Sequence, residues 1–189
     1  FPRVLLFGVR LWAEPWRFVT RTRAVTSGVQ PFPRVASVGG TVLTREQAPA
    51  DSESSTRQTV ERMAQHIRNS ANDQAVVNAA RQAAGACKSN APSDLCSAVF
   101  YWMKSRVRFV TDDDLISSLN MGRDELELLV SPPVLLRSSK PRGDCDDFTM
   151  ACCAILHELG IKCDIVTIKA DQPDPTRWSH VYCCAQTEK

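Results

Sequence analysis

The chain has 189 residues, enough for one ordinary domain with an extension and a sizeable core. Its formal net charge is +2, too small by itself to argue for a nucleic-acid or membrane partner. The main apolar run near the start, Val4-Leu5-Leu6-Phe7-Gly8-Val9, is bounded by Arg3 and Arg10 and falls far short of a membrane span. Arg10 and Glu14 also break it as a signal peptide, and without an initiator Met the sequence reads as a fragment or a processed form.

Residues 1–25 read as two strands around a turn at Ala13-Glu14-Pro15. Arg17, Val19, Arg21 and Arg23 alternate with Phe18, Thr20, Thr22 and Ala24, so one face is basic. That face is either a docking surface for an acidic partner or nucleic acid or, the preferred reading, an ordinary solvated arginine face. Residues 26–58 are rich in Gly, Pro, Ser and Thr and read as turns and linker, with Gly39-Gly40 as one turn. The domain boundary is placed there: residues 1–55 as an N-terminal extension of hairpin plus linker, residues 56–189 as the main domain.

From Ser55 the pattern turns helical. Val60, Met63, Ala64 and Ile67 follow helix spacing, residues 69–73 break it, and residues 74–84 predict an Ala-rich helix ending at Gly85. A third helix is expected from Ser93 as N-cap through Leu95, Ala98, Val99, Trp102 and Met103, with Trp102 read as core. A strand is expected over residues 106–111. Asp112-Asp113-Asp114 after it lack the alternating ligands and sharp-turn Gly of a calcium loop, so a solvated turn is preferred. Residues 126–136 around Pro132-Pro133 are expected to be extended, and residues 137–142 to be a basic, flexible lead-in.

That lead-in opens on Gly143-Asp144-Cys145-Asp146-Asp147, the stretch around which the rest is organised. Asp144 is a good N-cap, and Asp147, three residues on, makes a carboxylate capping box. Phe148, Cys152, Ile155, Leu156 and Leu159 then recur on one helical face, and Gly160 sits where a left-handed C-terminal cap is expected. Cys145 thus falls on the first turn, where the helix dipole favours a thiolate while the neighbouring carboxylates oppose it. Reactivity needs a cationic partner, most simply an imidazole.

The sequence has three histidines. His157 lies on the same helix, roughly 18 Å from Cys145 at about 1.5 Å per residue. Nothing directs His66, on an earlier charged helix, to the site. His180 lies in a strand-like run between Trp178 and Tyr182, and a strand across the helix start would bring it to the thiol. Cys145 and His180 are therefore the candidate catalytic residues for nucleophilic acyl chemistry.

Gly-Asp-Cys-Asp-Asp at the start of a core helix, with a His on a following strand, resembles the transglutaminase-like superfamily of papain-like Cys-His-Asp enzymes. Residues 107–112, 128–133 and 163–168 resemble the flanking segments, so the likeness spans about residues 94–185. It implies an α+β, papain-like fold, with the Cys-bearing helix packed on an antiparallel sheet from about residues 106–112, 163–170 and 178–185. It also implies acyl transfer on an amide of a protein or peptide substrate, without a cofactor or metal. The acyl group goes to water (peptidase or amidase) or to an amine (transamidase), hydrolysis being the more frequent outcome in bacterial and phage members. The family's third residue, usually an Asp after the His, has no match before Lys189, and Asp171 and Asp174 precede the His. Either the Asp lies beyond Lys189 or the protein lacks it, and the alternative function is a catalytically weak binding or assembly module.

The eight cysteines, Cys87, Cys96, Cys145, Cys152, Cys153, Cys163, Cys183 and Cys184, form no C-x-x-C pair. Most read as buried free thiols in a reducing intracellular compartment, with a Cys87–Cys96 bridge as the alternative in an oxidising one. A metal site from Cys145, His180, Cys183 and Cys184 is disfavoured. In a strand His180 and Cys183 point to opposite faces, and Cys184 lies roughly 13 Å from His180 at about 3.3 Å per residue.

Overall fold

The computed structural model describes residues 35–38, 41–47, 52–112, 114 and 126–187. The expected strands of residues 1–25, with their basic face, lie outside these residues. The elements run β1 (Val35–Val38), β2 (Thr41–Gln47), α1 (Ser52–Asn69), α2 (Gln74–Gly85), α3 (Pro92–Arg106), β3 (Arg108–Phe109), β4 (Leu126–Val130), α4 (Pro132–Arg137), β5 (Arg142–Gly143), α5 (Cys145–Glu158), β6 (Cys163–Ile168) and β7 (His180–Ala185). The architecture is mixed helix and sheet, as expected.

Local chemistry explains most boundaries. Asp73 caps α2 by accepting the Ala75 amide at 2.9 Å. The same carboxylate meets Arg137, in the last turn of α4, at 2.7 Å and so joins the two helices at the surface. At the end of α5, Gly160 adopts φ 72°, its amide bonds the His157 carbonyl at 3.0 Å, and the Ile161 amide bonds the Leu156 carbonyl at 2.9 Å. These two bonds make the Schellman ending that a glycine permits without steric cost.

Several expectations are corrected. The stretch read as linker contains a hairpin, in which β1 pairs with β2 from Val35↔Thr44 to Val38↔Thr41. Strand β2 in turn pairs with β4, from Leu43↔Val130 to Gln47↔Leu126. Ser93 is not the cap of α3: the cap position is Ala91, with no side-chain bond, and Pro92 opens the helix. The segment expected to be extended around Pro132-Pro133 is a strand followed by the short helix α4. Proline at the first helical positions lacks only an amide that would be unpaired there anyway, so the same dipeptide suits both readings.

The sheet also differs from expectation. β6 and β7 pair antiparallel, from Cys163↔Ala185 to Ile168↔His180. The region of residues 106–112 does not join them; only Arg108–Phe109 is strand, and it pairs in parallel with β5. Arg142, read as the end of a flexible lead-in, is therefore held with Gly143 in a ladder.

Helix α5 is the centre of the core, packed by α1, α2, α3, α4, β6 and β7. Every residue from Thr149 to Leu156 is buried, so the helix has no solvated face over that stretch, in place of the single apolar stripe that was expected. Ile155 and Leu156 are fully enclosed. We predict that Ile155→Ala lowers unfolding stability by about 2–5 kcal/mol through lost contacts and a cavity. Arg137→Ala, which removes a mostly exposed ion pair, lowers it by no more than about 1 kcal/mol; urea titrations of both variants check the contrast.

Candidate functional site

The start of α5 is built by carboxylates. Asp144 Oδ1 accepts the Asp146 amide at 3.0 Å, as an N-cap should. Asp147, fully buried, keeps the expected capping-box relation to the Asp144 backbone amide, which favours its charged form, and its Oδ1 also accepts the Val130 amide of β4 at 2.8 Å, while its Oδ2 makes no close hydrogen bond among the described residues. A Cβ at Gly143 would stand 2.5 Å from that Oδ2 and 2.6 Å from the Asp147 Cβ, which explains why the motif opens with glycine. Burial, then the charge of Asp144, push the Asp147 carboxyl well above the usual range, against the pull of the Val130 amide.

Cys145 is the first residue of α5 and half-buried. It packs against a small apolar cluster of Met63 from α1, Leu129 from β4, Met150 and Val181. Its thiol donates to Asp146 Oδ1 at 3.7 Å. Burial pushes the thiol far above the ordinary range, and the Asp146 and Asp144 carboxylates add to that; the Val181 backbone amide pulls it down. The conflict expected between dipole and carboxylates is thus resolved toward the neutral thiol.

His180 opens β7, opposite Ile168, and is half-buried. Burial lowers its pKa, so the imidazole is neutral at pH 7. The Val181 amide that meets the Cys145 sulfur belongs to the next residue, so helix start and strand start do come together. The side chains themselves are not joined: among the described residues no hydrogen bond or ion pair links His180 to Cys145 or to a carboxylate. Strand alternation gives the reason. Val181, Cys183 and Ala185 are buried in the core that α5 fills, which leaves His180, Tyr182 and Cys184 on the other face of the strand.

His157 is exposed near the far end of α5, and His66 lies on α1, one turn from Met63. Asp174 binds Thr176 within its own loop. Asp112 accepts the Leu128 amide at 3.0 Å rather than forming a plain solvated turn. All eight cysteines are free, and the Cys87 thiol donates to the Ser89 carbonyl at 2.9 Å. The metal set once weighed, Cys145 with His180, Cys183 and Cys184, is split: Cys183 gathers with Cys153 and Cys163, while Cys145 gathers with Asp144 and Asp146. Asp146, Asp147 and Met63 are site residues that sequence reading missed as such. The doubled Asp after Cys145 was the available signal for the first two; nothing in the local sequence pointed to Met63.

Two substitutions test these electrostatics. Asp146→Asn removes a nearby negative charge and leaves only a neutral amide oxygen to accept from the thiol, so the Cys145 pKa falls and its alkylation at neutral pH speeds up, read by site-resolved mass spectrometry. For Asp147 the folded pKa lies above the unfolded one, so between them the folded state holds a proton that the unfolded state has released. Unfolding stability therefore falls as pH rises from the unfolded value of about 4. Asp147→Asn has no such slope, so denaturant titrations from pH 4 to 7 should show the variant gaining on the parent as pH rises. No family model, curated protein or solved structure matches the chain.

Proposed function

We propose that the chain carries a cysteine-dependent acyl-transfer site, with Cys145 as nucleophile and His180 as general base and acid, on a transglutaminase-like, papain-like arrangement of helix and sheet. The observation that carries this reading is the position of Cys145: the first turn of a buried helix, half-open to solvent, with its sulfur against the amide of the residue that follows His180.

From this arrangement the chemistry runs as follows. The neutral imidazole takes the thiol proton, and the sulfur adds to an amide carbonyl of a protein or peptide. The Cys145 amide, among the unpaired donors at the helix start, faces the developing oxyanion. Imidazolium then gives its proton to the departing amine as the C–N bond breaks, and water or a second amine releases the acyl group from the thioester. Starting from a neutral thiol and a neutral imidazole, the pair needs the His180 ring to turn toward the sulfur when substrate binds, as catalytic contacts often tighten only then.

A second reading is favoured by a separate observation. The face that His180 shares with Tyr182 and Cys184, together with the carboxylates that oppose a thiolate, fits a binding or assembly module without turnover.

Acylation of Cys145 by an activated peptide amide (a p-nitroanilide), which occupies the site as a substrate would, is followed by site-resolved mass spectrometry for the parent and for His180→Ala and separates the two. Under the acyl-transfer reading the probe acylates Cys145 ahead of the other seven thiols, and His180→Ala removes that advantage. If Cys145 is acylated no faster than the other thiols, or ignores His180→Ala, the acyl-transfer reading falls and the module reading stands.

A further inference from the structure

The sulfurs of Cys153, Cys163 and Cys183 lie within 4.8 Å of one another. They come from three elements: the middle of α5, the first residue of β6 and the middle of β7. In the β6–β7 register Cys163 stands opposite Ala185 and Cys183 opposite Ile165, so Cys163 and Cys183 are diagonal neighbours on one face. Cys153 meets them from α5, and the Cys163 thiol also reaches the Cys153 carbonyl at 3.8 Å. Cys153 and Cys183 are each 2% exposed, whereas Cys163 is half-buried and opens the cluster to solvent. Along α5 the cluster stands about 12 Å from Cys145 at about 1.5 Å per residue, so it is separate from the candidate acyl-transfer site.

We propose that Cys153, Cys163 and Cys183 form a binding site for a divalent thiophilic metal ion, zinc in the first place. Thiolates select soft or borderline ions over magnesium and calcium. A zinc–sulfur bond of about 2.3 Å sets three sulfurs about 3.8 Å apart in tetrahedral geometry and about 4.0 Å apart in trigonal geometry. The observed spacing reaches those values by shifts of roughly 1 Å or less. Charge selects among the thiophilic ions: three thiolates with a divalent ion leave one net negative charge, and with monovalent copper they leave two. In so enclosed a place the smaller charge is the less costly.

On binding, the thiols give up their protons to solvent and three sulfur–metal bonds form, with no electron transferred. Water, entering on the Cys163 side, takes the fourth position. A disulfide would engage two of the three sulfurs and leave the third without a role. Three neutral thiols packed merely as small apolar groups, the plainer account, take up no metal.

The test uses the full chain, reduced, stripped of metal and kept under argon, titrated with Cd2+ as a spectroscopic probe. The expected result is ultraviolet thiolate-to-cadmium charge-transfer absorption that saturates at one equivalent and is reversed by Zn2+. The absorption should be lost in Cys163→Ser and kept in Cys184→Ser, on the opposite face of β7, and in Cys145→Ser. No absorption at one equivalent, equal absorption in Cys163→Ser, or its loss in Cys145→Ser would each overturn the proposal. Alkylation of the folded, unsubstituted chain supplies a check that needs no variant: one equivalent of Cd2+ slows modification of the half-buried Cys163 and leaves that of Cys184 unchanged, and an unslowed Cys163 sinks the idea.

Discussion

The bond from the Val130 amide to the buried carboxyl of Asp147 is the constraint on which the site depends. It anchors the start of α5 to β4, seventeen residues away in sequence. Beside it, Asp112 takes the Leu128 amide, so two carboxylates cover the edge of β4 that β2 does not pair. The arrangement requires the approach of Gly143, because any side chain there would collide with Asp147. It also has an electrostatic cost, since a carboxyl enclosed in the core next to Asp144 and Asp112 is kept from ionising.

The same construction governs Cys145. A helix start offers a thiol the positive end of a dipole, yet the residues that make this start are acids, and burial works in the same sense as their charge. The resting thiol is therefore neutral, and so is the imidazole of His180. Two neutral partners can pass a proton only when brought together and when charge developing on a substrate is stabilised. Under the proposed acyl-transfer reading, turnover therefore rests on one motion, the approach of the His180 ring to the Cys145 sulfur.

Helix α5 serves two separate thiol environments because it is buried all round over its central turns. Cys145 at its first turn faces Met63, Leu129 and Val181, whereas Cys153 two turns on faces β6 and β7. Strand β7 divides its residues in the same manner. Val181 and Cys183 point into the helix-covered core, each to a different thiol group, while His180 and Cys184 stand on the other side.

Where structure rests on neighbours in the chain, it was legible in the sequence. The ends of α2, the Asp144 cap and the left-handed Gly160 all follow from contacts within a few residues, and those chemistries have few alternatives. The mixed helix-and-strand class was readable for the same reason. The short helix after Ser131 was not, since Pro132-Pro133 is compatible with an extended chain as well as a first helical turn. Nor were the hairpin of β1 and β2, the parallel pairing of β3 with β5, or the buried partner of Asp147, because each joins segments whose local sequence carries no mark of the other. The sequence by itself determined where α5 starts and stops and which residues have reactive groups. Only the tertiary structure decided which face of β7 meets the helix, and so which sulfurs gather and how far His180 stands from engaging Cys145: a strand's alternation is set locally, but the side that becomes interior is set by what packs against it.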